Sequence, residues 1–150
     1  MKNLIALFLA IFILFSGCDS KNKSAGVSNA VISDTEILAM NITEVSSTAI
    51  AVELVNDSYC EIGYGEYFWI EFKDDGEWHI LAPKDNENFT FIDILYILEK
   101  NSSGTWGYVF DYMYGELPEG EYRLVKEFTV FSGKDDSGEN ITLAAQFKIG

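Results

Sequence analysis

YGELPEGEYRLVKEF, residues Tyr114 to Phe128, decides how the rest of this chain is read. Pro118 holds φ at about −65° early in a turn and Gly120 accepts positive φ, so Leu117 to Gly120 predicts a tight connection. Beyond it Tyr122, Leu124, Phe128 and Val130 share one phase of a two-residue alternation, while Arg123, Val125, Glu127 and Thr129 take the other. Lys126 interrupts the apolar phase, which predicts either a β-bulge beside it or a long side chain snorkelling to water. Tyr122 follows the turn closely enough for its ring to enter the core while its hydroxyl bonds back to turn backbone. A core tyrosine without that bond is the alternative.

Strand patterns continue on both sides of this stretch. Ile141, Leu143, Ala145, Phe147 and Ile149 alternate with polar or small residues after a charged loop at Ser132 to Glu139. Upstream, Trp106, Tyr108, Phe110 and Tyr112 share a phase in the stretch Thr105 to Tyr112. Glu66 to Lys73 and Glu77 to Leu81, joined by Asp74-Asp75-Gly76, predict a hairpin, with Phe68, Ile70 and Phe72 on one face and Tyr67, Trp69 and Glu71 on the other. Thr48 to Val55 reads as a half-buried strand. Glu36 to Glu44 fits a first strand or a helical turn, and Phe89 to Lys100 fits a strand pair or a helix. About seven short strands with turn signals between them, and no βαβ spacing, predict an all-β antiparallel sandwich for residues 34–150, with a closed barrel as the alternative.

The N-terminus has a different character. Lys2 followed by the apolar run Leu4 to Phe15 has the form of an export signal over residues 1–17, too short for a span of about 20 residues. LFSGC resembles the lipobox of bacterial lipoproteins. That resemblance implies acylation of Cys18, a membrane anchor on the extracytoplasmic side, and residues 18–33 as a flexible tether without fixed structure. A formal net charge of −14 argues against nucleic acid and anionic lipid as partners, since both require a basic surface.

Three stretches together, Thr48 to Val55, the hairpin Tyr67 to Leu81 with Asp75-Gly76-Glu77-Trp78, and the YGELPEGEYRLVKEF segment, resemble a family of bacterial immunoglobulin-like domains. Such domains occur in secreted and lipid-anchored proteins, largely of Gram-positive bacteria. The resemblance runs from about Ile37 to Ile149 and implies an immunoglobulin-like antiparallel β-sandwich in which Tyr122 forms a tyrosine corner. The chain departs from the family between Asn88 and Trp106, where EKNSSG stands in place of a Pro-Gly turn. No catalytic set is implied.

The residues themselves offer little chemistry. His79 is the only histidine, which excludes a multi-histidine metal site and favours a half-exposed structural role. Cys60 has no second thiol or histidine at motif spacing and reads as a small buried hydrophobe. Asp74-Asp75 lacks the periodic oxygen ligands of a calcium loop. Glu66 with Glu71, and Asp111 with Glu116, are the carboxylate pairs that would serve hydrolysis, but a chain this acidic supplies such pairs by chance. Neither a metal, a cofactor nor an enzymatic activity is therefore expected. The remaining candidates are aromatic: Tyr64, Tyr67, Trp69, Trp106, Tyr108 and Tyr112 as a binding surface. Rigid rings on one exposed face suit a surface or secreted protein partner. Rings lying as platforms beside carboxylates suit a glycan. A purely structural module is the third reading.

Overall fold

Two-residue alternation produces two facing antiparallel sheets in the computed structural model, which describes residues 22–84, 89–133 and 138–150. Residues 1–21, on which the expected export signal, Cys18 and the start of the expected tether fall, lie outside the described residues. The smaller sheet has the order β2 (Leu38–Val45), β3 (Ala49–Asn56), β8 (Ser102–Val109). In the larger, β1 (Ser24–Val27), β6 (Glu77–Leu81) and β5 (Trp69–Asp74) lead to β9 (Gly120–Phe131). That strand also pairs with β4 (Glu61–Tyr64), which carries β7 (Tyr96–Leu98), and with β10 (Glu139–Ile149) along its opposite edge. One helical turn, α1 (Asp111–Tyr114), links β8 to the Pro118 turn.

Strand β9 is the axis of the molecule. Its register with β10 runs unbroken from Gly120↔Ile149 to Val130↔Glu139. On the other edge it pairs with β5 near its start and β4 near its end. Nine residues from Ile62 to Ile70 face only seven from Val130 to Leu124, so β4 and β5 are one strand direction interrupted by two extra residues in the 65–68 connection. Lys126 stands opposite that interruption. It is fully buried, with Nζ donating to the carbonyls of Gly65 at 2.6 Å and Tyr67 at 2.9 Å. The rings of Tyr108, Tyr64 and Phe128 surround it at 5.4, 5.7 and 5.9 Å. Both expectations for this lysine are therefore corrected. The irregularity lies in the neighbouring strand, and the ammonium turns inward because the bulged backbone presents two carbonyls that the sheet ladder leaves unbonded.

Inward residues of β9, β10, β3 and β5 form the core, among them Tyr122, Leu124, Phe128, Phe147, Val52 and Ile70. Tyr122 is completely buried. Its hydroxyl donates to the Pro118 carbonyl at 2.8 Å, accepts from Asn22 Nδ2 at 2.8 Å, and its ring stacks on Phe147. Asn56, also fully buried, donates to the carbonyls of Cys60 and Glu99 and so ties β3 to the chain around β4 and β7. At the hairpin tip Asp75 (φ 46°) and Gly76 (φ 86°) both occupy the left-handed region, as a two-residue primed turn requires.

Four further details differ from expectation. Residues 24–27, read as tether, form edge strand β1 against β6; all four are exposed, so backbone pairing and not side-chain burial orders them. Phe89 to Lys100 contains neither a helix nor a strand pair among the described residues, only β7. The strand carrying Trp106 and Tyr108 ends at Val109, which puts Tyr112 on α1. Gly120 begins β9, and positive φ is used at Gly115 (φ 75°), where the helical turn closes. With β1 and β7 added and β4 separated from β5, the described residues contain more strands than the seven expected.

Candidate functional site

The six candidate aromatics do not form one surface. Tyr108 is buried on the inner phase of β8 against Phe68, its hydroxyl without a partner among the described residues, and burial pushes that hydroxyl far above the ordinary tyrosine range. Tyr64 and Trp106 pack edge-to-face at 5.6 Å, and Tyr96 completes that cluster at 4.5 Å from Trp106. Tyr112 is exposed on α1, and among the described residues its one ring contact is with Phe89. Tyr67 and Trp69 are the pair that does come together, 5.7 Å apart with planes tilted by 36°. No flat row of rings results. Three of the six fill the sandwich because alternation on β8 and the close approach of β4 and β7 direct them inward.

Tyr67 and Trp69 belong to the outer face of the large sheet, which a strap of chain crosses. Ser28 N donates to Trp78 O on β6, and Ser33 N reaches Thr142 O on β10, both at 2.8 Å. The returning bond from Thr142 N to Ser33 Oγ is 3.1 Å. Beneath the strap Glu71 is wholly buried. Its Oε2 accepts from Arg123 Nε and lies 2.6 Å from Nη2, while Oε1 accepts from Ser28 Oγ at 2.5 Å and Trp69 Nε1 at 2.8 Å. The Arg123 guanidinium also stacks over Trp78 at 4.6 Å. Sequence reasoning missed this network. Its only signal was Glu71 and Arg123 at outward positions of strands, which reads equally as solvated charge. Beside it the strap residues Asn29 and Val31, the rings of Tyr67 and Trp69, and Glu127 enclose an open cavity of about 370 Å³.

The carboxylate pairs have other work. Glu71 is fixed by Arg123, Glu66 accepts from Tyr96 Oη at 3.0 Å, and Glu116 accepts from Ser47 Oγ at 2.9 Å. His79 stacks on Phe72 and lies 3.4 Å from Ser24 Oγ. Cys60 is a half-buried free thiol packed against the core. No group of three metal-ligating side chains converges among the described residues.

A second feature is the free edge of β8. Phe110 N donates to Thr48 O, continuing the β3–β8 register, so the backbone groups of Ser103, Thr105, Gly107 and Val109 point the other way, to the open edge. No backbone bond reaches them among the described residues. The strand has eight residues, no charge and no proline. Other edges are protected: β1 is short and irregular, β7 has three residues, β2 carries a register shift by Glu44, and β10 is bonded to Ser33.

This arrangement of two sheets, with Tyr122 bonded to the turn before its strand, agrees with a match over residues 34–148 to the profile of a family described as bacterial Ig-like domain. The chain belongs to that family. The bacterial Ig-like domain is a non-catalytic fold, and nothing in the chemistry above asks for more. Comparison with curated proteins and with solved structures gave no match. The matched region begins at residue 34, so β1 and the strap lie N-terminal to it.

Proposed function

We propose that this Ig-like domain is a non-enzymatic surface module, anchored through a lipid on Cys18, that binds a protein partner by adding an extended strand to β8. The observation that carries the reading is the uncharged, unpaired edge of β8, which offers backbone donors and acceptors from Ser103 to Val109. Beside it the outer face of the small sheet has a shallow depression of about 210 Å³ between Val45, Ala49, Ala51, Gly107 and Val109, with Glu44 among its lining residues. Small residues there leave room for alternate side chains of an added strand. A net charge of −14 disfavours a second copy and favours a basic segment. Glycan recognition has less support, since Trp69 commits its indole N–H to Glu71 and Tyr67 is tilted against it.

Gly107→Lys and Thr105→Pro test this directly. A Cβ at Gly107 meets no atom within 4 Å, and the Thr105 N–H faces away from β3, so both substitutions spare the fold while blocking the edge. Capture of partners from the native cell surface should lose the same protein with both variants. Equal capture by wild type and both variants would refute strand addition at β8. Labelling with a palmitate analogue that depends on Cys18 tests the anchor.

A further inference from the structure

We infer that the cavity between the strap and the hairpin is a binding site for an organic ammonium group, held by the faces of Tyr67 and Trp69 and by the Glu127 carboxylate. Three observations converge there. The two rings lie 5.7 Å apart with their planes tilted by 36°, Tyr67 also meeting Phe91 at right angles, and both rings line the cavity. Glu127 makes no ion pair among the described residues, whereas Glu71 on the same wall is fully satisfied by Arg123, Ser28 and Trp69. The free negative charge at this mouth therefore belongs to Glu127, which adds to the effect of burial in raising the pKa of the Tyr67 hydroxyl. Finally the volume, about 370 Å³, falls within the roughly 300–1,000 Å³ of small-ligand sites.

No lysine or arginine lines the site, and Lys126 is turned into the core onto the carbonyls of Gly65 and Tyr67. Arg123 is held by both of its contacts to Glu71 and covers Trp78, and it is not part of the cavity wall. Asn29 and Thr142 add neutral polar groups, and Val31, exposed on the strap, adds apolar surface that suits alkyl substituents better than a hydrated metal ion. An ammonium carrying carbon on one side thus matches each wall: rings and Val31 against the alkyl part, Glu127 against the charge. This site is separate from the β8 edge and does not depend on it.

The test uses the purified protein with ¹⁵N-labelled tryptophan indoles, titrated with butylammonium chloride, tetramethylammonium chloride, neutral 1-butanol and sodium chloride. Saturable movement of the Trp69 indole signal is expected with the two organic cations at millimolar concentration, and none with butanol or sodium. Glu127→Gln and Tyr67→Leu should each weaken that binding by roughly 3- to 10-fold, the first through charge and the second through loss of a ring face. Because both positions are solvent-accessible, an unchanged pattern of the remaining indole signals verifies the fold. Equal response to butanol, no saturation with either cation, or unchanged affinity in Glu127→Gln overturns the inference.

Discussion

Replacing Arg123 by Met should destabilise the domain more than any surface charge change. Glu71 is 0 % exposed, and both Arg123 contacts to its Oε2 are 2.6 Å long. Met keeps the aliphatic stem but leaves the carboxylate with two neutral donors, Ser28 and Trp69. Stranding one member of a buried ion pair costs about 3–5 kcal/mol, and loss of the Trp78 stacking adds about 0.5–1 kcal/mol. The double variant Glu71→Gln/Arg123→Met removes the stranded charge, so it should recover about 2 kcal/mol or more relative to Arg123→Met alone. Urea unfolding at neutral pH, followed by circular dichroism and tryptophan fluorescence, measures both. A loss below about 1 kcal/mol for Arg123→Met, within the range of an exposed pair, would refute the burial argument, as would equal stability of the single and double variants.

Tyr122→Phe removes the hydroxyl that joins Pro118 and Asn22 but keeps the Phe147 stacking, so unfolding experiments should show a loss of about 1–2 kcal/mol. Stability should also depend on alkaline pH with two opposing arms. Burial lowers the Lys126 pKa from 10.5 to about 8, so between these values the unfolded chain binds more protons than the folded one and stability rises with pH. Burial raises the tyrosines, Tyr114 to about 12, so above pH 10 the unfolded chain ionises first and stability falls. Thermal melts from pH 7 to 11 should therefore pass through a maximum, and Lys126→Met should remove the rising arm; a rising arm that persists in that variant disproves the assignment.

What was legible in the sequence was whatever two-residue alternation encodes. Val52 and Leu54, Phe68 and Ile70, Leu124 and Phe128, and Leu143 and Phe147 announce which faces meet, and the sandwich follows from them. Where order comes from backbone bonding alone, composition is silent: Ser24 to Val27 is exposed and looks like linker, yet pairs with β6. Lys126 was visible as an anomaly, but its explanation lies in two surplus residues of the neighbouring strand, about 60 residues away in sequence, and alternation on one strand carries no information about register with another. The aromatic candidates failed for a related reason. A tyrosine such as Tyr108 or Tyr64 satisfies the same pattern whether its face is buried or exposed, and only the pairing of sheets decides.

If the proposed anchor holds, strand β1 would set how far this domain can stand from a membrane. With a lipid on Cys18, as proposed, a tether running to residue 33 would give a leash of about 50 Å at full extension. Pairing of Ser24 with Leu81 ends the leash at residue 24, where the same per-residue length allows only about 20 Å. The β1–β6 margin would then be held close to the bilayer at all times. A partner approaching from the cell exterior would then meet a domain whose β1–β6 margin stays within about 20 Å of the bilayer.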